Sequence, residues 1–393
     1  MSYFEPNKKF NRLMAYYNWQ KKDWPKFSFS LKEARPAIVR LAEKTGSMTG
    51  VVSALPTELQ LDALVNLMVA EALKSSAIEG EYLKRQDVMS SIRNNLGVNK
   101  VSEKVKDKSA QGMGELMVDA RKHYNLPLTE AMLFHWHRLL FKGDSSLTPG
   151  KWRTHEEPMQ VVSGAMGKQK VHFEAPPSSR VNQEMRQFVI WFNSTAPGQE
   201  NALEFGVVRA ALAHLYFESI HPFEDGNGRI GRVIAEKALS QGLGRPVLLS
   251  LSRTIEANKS EYYEALSAAQ KSLSVTQWIN YFVNTTLQAQ NEAIEQVQFT
   301  LKKARFFDRF KEQLSDRHTK VLKRMFDEGP QGFQGGMNAG KYGSLTKTSK
   351  ATATRDLQYL LQIQALLPYG EGGGRSTRYQ LNLDFPETPL VIF

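Results

Sequence analysis

Twelve residues, His221-Pro222-Phe223-Glu224-Asp225-Gly226-Asn227-Gly228-Arg229-Ile230-Gly231-Arg232, constrain this chain more than any other stretch. Phe205, Val208, Leu212 and Leu215 recur at helical spacing before them, and Ile230, Val233, Ile234 and Ala238 do so after, so the string is the loop and first turn joining two helices. Gly226 and Gly228 let backbone N–H groups approach a ligand with no Cβ in the way. The helix that starts near Asn227 adds unpaired N–H groups and the positive end of its dipole. An anion is the natural guest, phosphate above all. Arg229 and Arg232, three apart, are placed to grip further phosphate oxygens in forked geometry. Asp225 is placed to hold Mg²⁺ against the same oxygens. His221, at the mouth, is the one side chain here whose ordinary pKa suits proton abstraction near neutrality.

Taken singly, a His before Pro or a pair of glycines is an ordinary turn. Taken together, the twelve residues resemble the signature of the Fic family, H-P-F-x-D/E-G-N-G-R-x-x-R, with every position filled. The resemblance implies transfer of AMP from ATP with Mg²⁺ to a Ser, Thr or Tyr hydroxyl of a target protein. Within it His221 is the general base, Asp225 the Mg²⁺ ligand, Gly226, Asn227 and Gly228 the cradle, and Arg229 and Arg232 the phosphate clamps. Gly228 agrees with AMP transfer, since relatives that transfer a phosphoryl group carry Lys near this position.

Other stretches gain meaning beside the motif. Thr57 and Gln60 read as a capping box for a helix whose stripe is Leu61, Leu64, Val65, Met68 and Ala72. That helix runs toward Ser75-Ser76-Ala77-Ile78-Glu79-Gly80, where Ser75 and Glu79 share a face and Gly80 closes the turn. The hexapeptide is similar to the family's inhibitory motif S/T-x-x-x-E-G/N. The resemblance implies that this is a regulatory segment, Ser75 included, in which Glu79 pairs with Arg232 and keeps it from the terminal phosphate of ATP. Two β-prone runs, through Val161-Val162-Ser163-Gly164 and Lys170-Val171-His172-Phe173, read as a hairpin. In the family the corresponding hairpin is a flap that clamps the target segment by strand pairing beside the nucleotide. Tyr262 and Tyr263 resemble tandem tyrosines that reach the nucleotide, and Gln270 stands where many relatives carry Asn. His135 and His137, two apart on a helix, point in different directions and read as packing histidines rather than a metal pair.

A dense run of aromatics, Tyr16, Tyr17, Trp19, Trp24, Phe27 and Phe29, is expected to pack as a strap over the main domain. Residues 301 to 393 hold 15 Lys plus Arg against 9 Asp plus Glu, over half of the net charge of +11. Their order, a helix from His318 to Phe326, a Gly-rich turn, a short helix, a polar helix over 349–361 and a hairpin turning at Gly372–Gly374, is similar to a winged helix-turn-helix. Such a unit docks on DNA or on protein.

The expected fold is therefore mainly α: a Fic-type helical core with a β-hairpin flap, plus a C-terminal winged helix-turn-helix domain. The expected boundaries are 1–108 for the aromatic segment and inhibitory helix, 109–290 for the catalytic core and 291–393 for the winged helix. No apolar run nears 18 residues and residues 1–22 contain no apolar h-region, so neither a membrane span nor a secretory signal is expected. With no Cys, disulfides and thiolate metal sites are excluded, and the cytoplasm is the expected location. Expected partners are a protein bearing the hydroxyl, DNA through the final domain, and a second copy as a homodimer. Two rival functions use the same residues: a DNA-binding regulator whose core senses nucleotide, and a hydrolase that removes AMP.

Overall fold

The computed structural model describes residues 17–99, 101–144, 148–163, 170–330, 332–370 and 377–384. The helices before the hairpin are α1 (Arg35–Ser53), α2 (Thr57–Ile78), α3 (Arg85–Leu96), α4 (Lys108–Lys122) and α5 (Glu130–Leu140). Strands β1 (Gln160–Ser163) and β2 (Lys170–Glu174) follow. Then come α6 (Ser178–Ser194), α7 (Gly206–Ile220), α8 (Asn227–Leu243), α9 (Leu251–Ala257), α10 (Lys259–Ala269) and α11 (Thr276–Phe310). The chain continues with α12 (Asp316–Phe326), α13 (Ala339–Thr346), α14 (Lys350–Gln362), β3 (Leu366–Pro368) and β4 (Tyr379–Leu381).

Polar caps set many helix starts. Asp107 accepts from the N–H groups of Ser109 and Ala110, Thr129 from Met132, and Ser250 from Arg253. The start of α2 is different from the expected capping box. Thr57 is already helical behind Pro56, and Gln60 Nε2 instead donates to the Leu55 carbonyl at 2.8 Å. Helix α1 escaped the sequence reading because Thr45-Gly46 and Thr49-Gly50 dilute its pattern. Its stripe is nonetheless present as Ile38, Leu41, Met48 and Val52, all buried.

The described residues up to Thr45, with Val65–Gln290, form one compact unit; Gly46–Leu64 and Asn291 onward form the second. At the centre of the first unit α7 is buried along its whole length and packs antiparallel on α8. The aromatic strap closes over this pair. Trp24 and Phe27 meet Tyr216 edge-on, Tyr17 meets Phe173, and Asn18 donates to Ser219 Oγ at 2.8 Å. Tyr16 lies outside the described residues.

At the far end of the α7–α8 pair, Gly206 and Gly242 bring the two backbones together. A Cβ on Gly242 would sit 2.7 Å from Gly206 Cα, and one on Gly206 would sit 2.9 Å from Gly242 Cα. Backbone cannot swing aside as a side chain does, so Gly242→Ala is expected to destabilise the chain by about 1–3 kcal/mol. Urea unfolding of the two proteins measures this; an unchanged midpoint would contradict the crossing.

In the second unit α12, α13 and α14 pack around Phe306, Met325, Phe326, Tyr342, Leu357 and Leu360. Strands β3 and β4 pair antiparallel, Leu367 opposite Gln380, and Met337 bridges to Tyr379 on the other side of β4.

Candidate active site

The motif loop is built by its own neighbours. His221 is the residue after α7 and takes φ 50, ψ 60, a left-handed conformation uncommon for a residue with a Cβ. It is held there by Arg153, a buried residue whose Nε donates to the His221 carbonyl at 2.8 Å. The same guanidinium donates to the Ile220 and Pro176 carbonyls, so one cation ties the exposed carbonyl end of α7 to the exit of β2. Burial lowers the Arg153 pKa to about 10, which still leaves it charged at neutral pH.

Asn227 spends both polar atoms on one residue. Its Oδ1 accepts from Phe223 N–H and its Nδ2 donates to Phe223 C=O, each at 2.9 Å, so it shapes the loop from within. Phe223 in turn stacks on His137 at 4.0 Å between ring centres. Gly150 N–H donates to His137 Nδ1, so the ring proton sits on Nε2 and is donated to the Asp225 carbonyl at 3.1 Å. His137, a packing histidine by sequence, therefore fixes the loop next to the expected Mg²⁺ ligand.

Burial drives the His137 pKa down to about 4. A folded-state value below the ordinary 6.5 means that the unfolded chain takes up the proton first. The stabilisation is then full above pH 6.5 and is lost as pH falls toward 4, roughly 3 kcal/mol in all. Thermal melts of wild type should fall more steeply between pH 6.5 and 4.5 than those of His137→Gln; parallel curves would refute the assignment.

Gly226 caps helix α8 at φ 81, a left-handed conformation, and a Cβ there would stand 2.8 Å from both Leu140 and Phe141. The catalytic-type side chains face the same hollow, a cavity of about 610 Å³. Glu79, His221, Asp225 and Gly228 line it, with Gln160, Val161, His172 and Phe173 from the hairpin and Tyr263, Lys259 and Gln270 from the far side. Glu218, one turn before His221 on α7, is buried with Oε2 3.6 Å from His221 Nδ1. Burial raises its carboxyl pKa, but the histidines His221 and His214 together with Arg232 outweigh that and hold it below its ordinary value. Glu218 carries no motif signal; its only trace in the sequence is the i,i+3 spacing from His221.

The end of α2 delivers two carboxylates. Gly80 N–H bonds to the Ala77 carbonyl and Glu81 N–H to the Ser76 carbonyl, with Gly80 at φ 85, which is a Schellman turn. Glu79 accepts from Arg232 Nη2 at 2.8 Å, and Ser75 takes Arg232 twice, through Oγ from Nε at 2.9 Å and through C=O from Nη2 at 2.8 Å. Burial opposes the Arg232 charge, and Glu79 more than compensates, so its pKa stands above the ordinary value. Glu81, which the sequence reading passed over, accepts from Arg229 Nη1 at 2.6 Å. Lys259 donates to the Ile78 carbonyl. Gly228 makes room for this arrangement, since a Cβ there would overlap Glu79 Oε1 and stand 3.1 Å from Arg232 Nη1. That Nη1 is buried without an acceptor among the described residues.

Asp225 is more than half exposed. Its Oδ1 accepts from Gly226 N–H at 2.5 Å and its Oδ2 lies 3.5 Å from Arg229. Among the described residues no cluster of three metal-ligating side chains occurs. One carboxylate beside a phosphate cradle still suits Mg²⁺, which takes few protein ligands and completes its shell with phosphate and water. Both tyrosines border the hollow, but they differ in exposure: Tyr262 is buried with its hydroxyl on His214 Nε2 at 2.8 Å, while Tyr263 is 38% exposed. In β1–β2, Val161 pairs with Phe173, a bulge then shifts the register, and Val162 and Ser163 pair with Val171 and Lys170. Gly164 lies outside the described residues.

Residues 127–239 match the Fic/DOC family model, and residues 17–98 match a domain of unknown function, DUF4172. A probable protein adenylyltransferase of Aquifex aeolicus is 29% identical over 166 residues, covering 40% of this chain and 47% of that protein. The protein adenylyltransferase Fic of Drosophila mojavensis is 37% identical over 87 residues, 22% of this chain and 16% of that one. The chain thus spans about half, or less, of these relatives. The crystal structure of a Fic family protein from Desulfovibrio desulfuricans shares the fold with a TM-score of 0.51 at 20% identity, over 92% of this chain and 99% of that one. No helix among the described residues is long and apolar enough to cross a membrane.

Proposed function

We propose that the chain is a Fic-type protein adenylyltransferase, restrained by the turn at the end of α2. The observation that carries this reading is one cavity lined at once by His221, Asp225 and the residues that open α8, Gly226, Asn227 and Gly228, with Glu79 on its wall. A phosphate seated there meets the N–H groups of the first turn of α8 and the positive end of its dipole.

In the reaction a target hydroxyl oxygen bonds to the α-phosphorus of ATP while the bond from that phosphorus to the bridging oxygen breaks and pyrophosphate leaves. Because Glu218 faces His221 Nδ1, Nε2 is the atom left to take the hydroxyl proton, and the Glu218 carboxylate stabilises the resulting imidazolium. Arg229, Arg232 and the first-turn N–H groups offset the charge gathering on the phosphates; the rest of the catalysis is positioning. Mg²⁺ bound with the nucleotide would be held by Asp225 and would add positive charge at the phosphates. The β1–β2 pair is the flap, with its exposed edge available to an extended target segment and Tyr263 a face for the base.

The restraint follows from competition for the same donors. While Glu79 holds Arg232 Nη2 and Glu81 holds Arg229, neither guanidinium is free to take a terminal phosphate. Glu79 is also 28% exposed and lines the hollow, which suits a second reading in which it holds a water that removes AMP from a modified target.

The chain incubated with Mg²⁺ and either α-³²P-ATP or γ-³²P-ATP tests the reading on a gel. Label arriving from the α position alone supports AMP transfer. Label from the γ position would replace it with phosphoryl transfer, and none from either, with ATP still bound and AMP released from a pre-modified protein, would favour the hydrolase.

A further inference from the structure

The second unit carries a surface with its own chemistry, independent of the adenylyl-transfer reading. Helices α13 and α14 are joined by three residues, with Lys347 at φ 56 making the turn, and the β3–β4 hairpin follows directly. Met337 exchanges both backbone hydrogen bonds with Tyr379, at 2.8 and 2.9 Å, adding a third strand position before α13. Helix, strand contact, helix, tight turn, helix and hairpin is the order of a winged helix-turn-helix, in which the helix after the tight turn is the one free to enter a groove.

We propose that this unit binds double-stranded DNA, with α14 in the major groove. The helix is two-faced. Ala353, Leu357 and Leu360 are buried in the core, while Lys350, Ala351, Thr354, Arg355, Gln358 and Gln362 are exposed. The only acidic residue on α14, Asp356, is turned inward, where Oδ2 accepts from Arg317 Nε at 3.1 Å and from the Tyr342 hydroxyl at 2.9 Å. The outer face is left with no carboxylate to repel a phosphate backbone. Lys347, Lys350 and Arg355 are exposed, and among the described residues none is paired with a carboxylate.

The side chains match base edges and phosphates rather than a protein. Arg reads guanine, Gln reads adenine, Thr meets the thymine methyl, and lysines near a helix start reach phosphate. A protein-docking face instead centres on aromatic or aliphatic anchors and is poor in Lys. The one large ring bordering this face, Tyr359, has its hydroxyl tied to the Gln313 carbonyl at 3.0 Å. Duplex RNA is excluded by shape, because its A-form major groove is too narrow and deep for side chains to read.

Fluorescence anisotropy tests this with the full chain, a labelled 24-base-pair DNA pool, the same sequences as duplex RNA, and a series of salt concentrations. Binding is expected for DNA and not for RNA, with log affinity falling linearly against log salt. Lys347→Ala with Lys350→Ala should make that slope shallower by about 0.9 for each lysine. Arg355→Ala should weaken binding to the sequence selected from the pool about tenfold and flatten its discrimination between sites. All three positions are exposed, so the thermal midpoint should stay put, which separates lost contact from lost fold. Equal affinity for RNA, a slope that the lysine changes leave alone, or no DNA binding at low salt would each overturn the proposal. The last outcome would make this face a protein-docking surface.

Discussion

Replacing His221 with Ala is expected to abolish AMP labelling while leaving ATP binding in place. General-base catalysis contributes on the order of 10²–10⁴-fold, and the two nearest carboxylates are not placed to substitute. Glu218 is buried behind His221, and Asp225 is turned onto its own loop. His221 also occupies a left-handed backbone position, so the Ala variant strains the loop as well as removing the base. His221→Asn separates the two effects, since Asn tolerates that conformation and accepts no proton near neutrality. Labelling lost in both, with ATP affinity kept in the Asn variant, places the histidine in the chemical step. Labelling that survives in the Asn variant at more than a tenth of wild type would remove His221 from that role. Glu218→Gln should lower labelling, because the imidazolium formed at His221 loses the carboxylate 3.6 Å from Nδ1.

The second large effect runs in the opposite direction. Glu79→Gly is expected to raise labelling and ATP affinity by roughly 10–100-fold, the scale of one charge-assisted hydrogen bond to a buried guanidinium. The contact that is lost is Arg232 Nη2 to Glu79 at 2.8 Å; the two Ser75 contacts remain and keep the arginine aimed. Ser75→Ala therefore gives a different outcome, a less well placed Arg232 and weaker nucleotide binding. Glu81→Gln should give only a several-fold gain that fades as salt is added, because Glu81 is one-third exposed and water screens its pair with Arg229. Isothermal titration with ATP alongside the gel assay reads all three. If Glu79→Gly binds ATP no better than wild type, the α2 turn does not compete with the nucleotide.

The two carboxylates show how the turn is built. A Schellman turn places the residue before its glycine and the residue after it on one side of the helix end, so Glu79 and Glu81 arrive together at α8. The α8 side accepts them because Gly228 has no Cβ. Glu79 was legible as part of a short motif. Glu81 was not, since an acidic residue three places past a helix end has no pattern of its own.

What the sequence by itself determined is local and ordered along the chain. The helix–loop–helix around 221–232, the glycines at the start of α8, the 160–174 hairpin, the Glu79 turn and the strap around Trp24 are all set by short-range rules. Spacing of apolar residues, glycine at positive φ and capping act within a few residues of one another. The tertiary structure alone decided which distant groups serve the site. Arg153 lies 68 residues from His221, Glu81 lies 148 from Arg229, and His137 lies 88 from Asp225. It also buried Tyr262 on the hollow's wall with its hydroxyl on His214 and left Tyr263 beside it exposed. The physical reason is desolvation: a buried guanidinium, imidazole or carboxylate must find a partner, and that partner is chosen by packing in space. A linear sequence states which groups need partners and leaves the choice to the fold.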